Sequence, residues 1–179
     1  MLFARFCLPW YCQANVRVRP YRPNDFQFLA RSCLSYAREA ARLDPYLRPR
    51  PAPSFGAAYA RSLLRQARKR RGFFLLAEAE GGRRAGFVVG LPAPLSSVER
   101  LVVIRRTRPC VVCELYVAPR FRRQGVGRRL LEEVERRFGR RGYDWIRLEV
   151  QPRNRFAVRL YRSMGYTDRA WILGRPTRT

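Results

Sequence analysis

The 179-residue chain contains no histidine, and Lys69 is its only lysine. The missing histidine removes the usual activator of a cysteine nucleophile and the commonest companion of cysteine in a zinc site. Acidic residues are also scarce. Thirteen stand against 38 basic ones, so the formal charge is +25 and nearly all of it is arginine. No apolar run reaches bilayer-spanning length. The opening "MLFARFCLPWYC" is apolar but short, is interrupted by Arg5, and lacks a small-residue cleavage site. It reads as a membrane- or partner-touching extension, or as the product of a start codon called too early. Residues 1–15 are therefore set apart from a single domain at 16–179. An even cysteine count is missing too. Five cysteines (Cys7, Cys12, Cys33, Cys110, Cys113) without an evident secretory signal disfavour a disulfide framework and point to a reducing cytoplasm.

What is present fits an ordinary globular domain: 47% of the residues are apolar, enough for a sizeable core. The arginine excess has two readings. One is codon drift in GC-rich coding. The other is attraction to anions such as nucleic acid, the ribosome or phosphorylated cofactors. The densest run, "RQARKRR" (Arg65 to Arg71), closes an expected helix, where basic residues complement the helix dipole. Cys110 and Cys113 form a C-x-x-C. Cys7 and Cys12 could supply the two further ligands, but they are distant and loosely spaced, so no metal is expected. The pair reads as two small apolar residues of a buried strand.

The pattern along the chain predicts alternating elements. "VRVRP" alternates as a strand. Asn24 or Asp25 can cap a helix with Phe26, Leu29, Ala30, Cys33 and Leu34 on one face. "DPYLRPRPAPS" is a connector, and a second helix follows from Ser54 to about Arg71. Residues 73–77 and 86–89 flank Gly81-Gly82 as a hairpin. "CVVCELYV" is a strand stopped by Pro119. Leu130, Leu131, Val134 and Phe138 recur at helical spacing, with Arg128–Glu132 and Arg129–Glu133 as surface pairs. "DWIRLEV" directs Ile146, Leu148 and Val150 inward. Asn154 caps a last helix that Gly165 ends, and "AWILG" closes the sheet. The expected architecture is an α/β (α+β) layered domain with a mixed sheet of about six to seven strands, in the order β-α-α-β-β-β-α-β-α-β.

Residues 122–127, "RRQGVG", fall between a strand and a helix. Free N–H groups of a first helical turn, glycines without a Cβ and nearby arginines together suit an anion. The loop is neither a Walker A motif nor a dinucleotide fingerprint, since the following Lys-Ser/Thr and the third glycine are absent. By itself G-x-G is a weak signal and reads as a simple turn.

Two longer patterns resemble the signatures of the GNAT superfamily of acyl-CoA-dependent N-acyltransferases. Leu115-Tyr116-Val117, Pro119 and Arg122-x-x-Gly125-x-Gly127 resemble its motif A. Leu148, Val150, Asn154, Ala157, Leu160, Tyr161, Gly165 and Tyr166 match its second signature. The resemblance covers about Cys110 to Leu173. It implies a fourth strand splayed from the fifth around a bulge, so that backbone near Leu115, Tyr116 and Val117 bonds the pantetheine of acetyl-CoA. It implies a pyrophosphate on the amides of Arg122, Arg123, Gln124, Gly125, Val126, Gly127 and Arg128, with Asn154 facing the sulfur end. The implied chemistry is direct transfer of an acetyl group to an amine, with Tyr161 as general acid and Glu114 as general base acting through a water. Glu114 has the alternative of a salt bridge to arginine. Tyr116 and Glu149 are weaker candidates, and Cys113 lacks a histidine to activate it as a nucleophile. The acceptor stays open: a protein N-terminus, ribosomal protein, lysine or small amine, bound by a monomer or homodimer. The alternative is a non-catalytic basic module of the same fold that binds nucleic acid or the ribosome.

Overall fold

The computed structural model describes residues 15–44, 51–93, 95, 101, 107–170 and 172. The order is β1 (Val16–Pro20), a 3-10 turn (Pro23–Asp25), α1 (Phe26–Leu43), α2 (Phe55–Lys69), β2 (Phe73–Ala79), β3 (Arg83–Pro92), β4 (Pro109–Val117), α3 (Val126–Arg140), β5 (Trp145–Leu148) and α4 (Arg155–Ser163). The sheet is mixed, with spatial order β1-β2-β3-β4-β5; β1 to β4 are antiparallel neighbours and β5 runs parallel to β4. The strand count among the described residues is thus five, fewer than the six to seven expected. The expected closing strand, residues 170–174, lies largely outside the described residues, as do the extension 1–14, residues 45–50 of the proline-rich connector and most of the connector before β4.

Strand alternation feeds two cores. On one face Leu75, Ala77, Val88, Cys110 and Val112 pack against Leu130, Leu131, Val134 and Phe138 of α3. On the other, Phe74, Leu76, Phe87 and Val89 meet Leu29 and Cys33 of α1 and Ala60 and Leu63 of α2. The four α3 residues are at most 1% exposed. Burial of side chains this size contributes about 1.5–3 kcal/mol each, so packing rather than propensity fixes the helix.

Several local expectations change. Val150 lies beyond β5 and is 36% exposed, because the ladder with β4 ends at Leu148. Cys110 is buried but Cys113 is exposed, since it is the extra residue in a bulge. Arg128 and Glu132 do pair, at 3.9 Å. Glu133 accepts from Arg136 and Arg137, while Arg129 donates to the Val16 carbonyl. Asp25 occupies the N-cap position of α1, yet its side chain does not cap that helix.

Asp25 instead holds the start of the domain together. It is fully buried and accepts from Arg19 (2.8 and 2.9 Å), Arg84 (3.0 Å) and the Arg22 backbone N–H (2.8 Å). Burial alone pushes a carboxyl up. Here the hydrogen bonds from Arg19, Arg22 and Arg84 outweigh it and hold the pKa at about 2. Arg19 also bonds Glu78 at 2.7 Å, tying β1 to β2. Asp25→Ala leaves Arg19 buried without its main partner and should cost about 3–5 kcal/mol in urea unfolding. Because the folded pKa is depressed from 3.8, the contribution is complete above that value and is lost as pH falls through about 2. The wild type should therefore lose stability across that acid window while the variant loses less.

Candidate functional site

The β4 bulge builds the site. Val89 pairs with Glu114 and Gly90 with Val112, which leaves Cys113 without an opposite residue. Pairing with β5 ends at the same place, Val112 opposite Leu148. Beyond it, among the described residues, one edge of β4 has no strand beside it. The Ala118 N–H donates to Ala85, so by strand alternation the peptide groups of Leu115 and Val117 point away from β3 to that open edge. The gap between the splayed strands belongs to a cleft of about 1220 Å³. α1, β4, the start of α3, residues 148–151 and α4 all line it.

The glycine loop sits at one end of the cleft. Arg123 and Gly125 adopt positive φ, +58° and +79°, and Gly125 is the residue before the first turn of α3. The helical ladder begins with Arg129 N–H to Gly125 O, so the N–H groups of Val126, Gly127 and Arg128 precede it and point out of the helix end. Gly127 brings the helix close: a Cβ there would lie 3.1 Å from Leu160 of α4 and 3.6 Å from Val117 of β4. The arginines beside it are partly engaged. Arg122 donates to the Val117 carbonyl (3.0 Å) and to both oxygens of Glu39 on α1 (2.6 and 2.9 Å). Arg128 reaches Ser163 Oγ at 2.7 Å, and Gln124 bonds the Arg120 carbonyl at 2.8 Å.

Glu114 and Tyr161 reach the gap from opposite layers. Glu114 is only 7% exposed and accepts from the Tyr59 hydroxyl, with Tyr36 donating as well. Burial raises its pKa to about 7, and the two tyrosine hydrogen bonds hold it from rising further. Its partners are hydroxyls rather than an arginine. Tyr161 of α4 packs with the α3 core, and its ring lies 5.8 Å from that of Tyr166. No hydrogen bond from another described residue reaches its hydroxyl, and burial, then the Glu114 charge, raises its pKa to about 12. A carboxylate that titrates near neutrality and an unengaged phenol thus share one cleft.

The cleft brings together all the expected residues except Gln124, while assigning some of them second duties. Asn154 caps α4, accepting from the Ala157 N–H at 3.2 Å. Val126 buries its side chain in the core and offers only backbone. Tyr116 is placed differently from Leu115 and Val117: its ring stacks on Phe87 at 5.9 Å and its peptide groups lie in register with that residue on β3. Glu149 and Cys113 line the cleft and are exposed. Sequence reasoning missed Tyr36 and Tyr59. Tyr36 follows Cys33 by three positions on α1, a helical-face signal that was present. Tyr59 carried no signal, because only the packing of α2 brings it to Glu114.

Gly125→Val places a β-branched side chain in a left-handed conformation, which costs about 1–2 kcal/mol in unfolding experiments. Glu114→Gln has a pH signature. Because the folded pKa lies above the usual 4.5, the carboxyl's contribution is complete below that value and is lost as pH rises through about 7. Wild-type stability should decline over that window, and the glutamine variant should show a flatter profile in denaturant midpoints.

The chain resembles known proteins along most of its length. A profile of the Acetyltransferase (GNAT) family matches residues 34–166. A transcriptional regulator from Bacillus halodurans C-125 is 17% identical, with a TM-score of 0.67 over 90% of this chain and 99% of its own. A GCN5-related N-acetyltransferase from Ralstonia eutropha JMP134 is 22% identical, with a TM-score of 0.64 over 90% and 98%. An aminoglycoside N-acetyltransferase solved in complex with CoA is 14% identical, with a TM-score of 0.61 over 93% and 97%. The family match spans well over half the sequence: the chain belongs to the GNAT acetyltransferase family.

Proposed function

We propose that the chain is an N-acetyltransferase that moves an acetyl group from acetyl-CoA directly to a primary amine. The observation that carries this reading is that Glu114 and Tyr161 line one cleft, close enough for the charge of Glu114 to raise the Tyr161 pKa. The open edge at Leu115 and Val117 suits the pantetheine amides as an added strand. The N–H groups of Val126, Gly127 and Arg128 suit the pyrophosphate. Arg122, Arg123 and Gln124 flank that loop, and the amide of Asn154 faces the same cleft.

The chemistry needs a neutral amine, a polarised thioester carbonyl and a proton for the departing sulfur. Glu114, ionised above about 7, accepts the amine proton, directly or through one water. The nitrogen forms the new C–N bond, the C–S bond breaks, and the Tyr161 hydroxyl supplies a proton to the thiolate. Tyr36 and Tyr59 orient Glu114 by hydrogen bonding to it. α1, α2 and the connector at 93–109 shape the acceptor side. A net charge of +25 repels polycations, so a protein N-terminus or a peptide with acidic residues fits better than a polyamine or an aminoglycoside. Among the described residues no helix is long and apolar enough to cross a membrane; a cytoplasmic setting and a monomer or homodimer complete the proposal.

Tyr161→Phe keeps the ring and removes only an unengaged hydroxyl, so stability and acetyl-CoA affinity should hold. Turnover should fall about 10²–10⁴-fold once chemistry limits the rate. Thiol release with a panel of amines and N-terminal peptides, together with calorimetric titration of acetyl-CoA, checks both halves. The wild-type kcat should rise with pH through about 7, and Glu114→Gln should lose that limb. Near-normal kcat in Tyr161→Phe would remove the phenol from the acid role. Failure of the wild type to bind acetyl-CoA would favour the non-catalytic basic module.

A further inference from the structure

The edge of the sheet where β2, β4 and β5 begin collects a second set of arginines. Phe73 pairs with Gly90, Pro92 with Cys110, and Pro109 with Trp145, so these strand ends lie together. α2 and α3 both hand the chain to strands that start there, which brings their C-terminal ends to the same edge. The glycine loop is at the other end of α3. The Arg141 guanidinium lies 4.0 Å from the Phe73 ring centroid and donates to the Arg71 carbonyl at 2.6 Å. Arg108 lies 4.8 Å from the Tyr143 ring and donates to the Arg141 carbonyl at 3.0 Å. Arg70 donates to the Pro92 carbonyl. Rings and carbonyls fix these guanidinium groups without neutralising them.

Around this frame Arg68, Lys69 and Arg140 are exposed. Among the described residues, Glu133 is held by Arg136 and Arg137, while Asp144, which accepts the Arg108 backbone N–H at 2.8 Å, keeps its charge and offsets one of these cations. Helix dipoles account for only part of the charge. Two C-termini are worth roughly one negative charge together, well short of the cations gathered here.

We infer that this basic pole binds the phosphodiester backbone of a nucleic acid, apart from the acyl-transfer cleft. Pre-positioned guanidinium forks match phosphate oxygens two at a time. Phe73 and Tyr143 are half-buried beneath guanidinium groups, so neither ring is free to stack on bases or to enter a bilayer. Recognition is therefore of backbone charge, indifferent to sequence and compatible with a duplex.

The test is fluorescence anisotropy of short labelled RNA and DNA duplexes across a salt series, with phosphatidylserine vesicles as a parallel arm. The triple variant Arg68→Gln, Lys69→Gln, Arg140→Gln removes exposed charges that take no part in the frame. Its counterpart, Arg31→Gln, Arg38→Gln, Arg42→Gln, removes the same charge from exposed positions on α1. Wild type should bind at least one duplex, and the slope of log K against log salt should flatten by about one unit per lost contact, hence about three in the pole variant and clearly less in the α1 variant. Lys69→Gln alone should give about one unit. Absence of duplex binding near physiological ionic strength, equal losses in the two triples, or binding to vesicles without binding to duplexes would overturn the assignment.

Discussion

The rest of the site depends on one extra residue in one strand. Cys113 has no opposite number on β3, and the ladder between β4 and β5 stops beside it, at Val112 and Leu148. A bulge shifts the alternation, so Leu115 and Val117 return to the α3 layer while Glu114 and Tyr116 face α1 and α2. It also parts the two strands. A closed sheet would keep the two layers separate. With the gap, a carboxylate from one layer and a phenol from the other are near enough for the charge of Glu114 to raise the Tyr161 pKa.

Electrostatics sharpens what the gap allows. In a protein of formal charge +25, an acid beside arginine would be ionised well below neutrality. Glu114 avoids that outcome because α1 and α2 surround it with Tyr36, Tyr59 and Cys33 instead of cations. Its pKa of about 7 is a product of desolvation moderated by hydroxyl donors. Asp25, also buried, shows the opposite result, held at about 2 by arginine and backbone donors. Environment, not residue type, divides the two carboxylates into a titrating group and a structural one.

Arg122 links the two sides of the cleft. Its side chain spans from the Val117 carbonyl on the open edge to Glu39 on α1, with its guanidinium 6.0 Å from the Tyr116 ring. The first arginine of the loop is thereby a brace between the strand that would hold a cofactor and the helix that would face an acceptor. Arg128, bonded to Ser163, braces α3 to α4 in a similar way. The positive charge of the loop is consequently less available than a count of its arginines suggests, and the backbone N–H groups carry more of any anion binding.

The order of elements, the hairpin, the glycine loop at the mouth of α3 and the Asn154 cap were all legible in the sequence. Each rests on local chemistry: alternation, helical spacing, Gly-Gly, and a side chain bonding three residues ahead. The motif positions likewise named the strand and helix that line the cleft. Local pattern could not reveal that Cys113 is exposed, that Val150 falls outside β5, or that Asp25 binds arginines instead of capping α1. Those outcomes depend on pairing between residues far apart in the chain. The same holds for Tyr59, which lies 55 positions from Glu114 and meets it only because α2 packs across the sheet. Sequence by itself determined which residues could do acid–base chemistry; tertiary structure decided which would titrate near neutrality, because desolvation and hydrogen bonding are properties of an assembled environment.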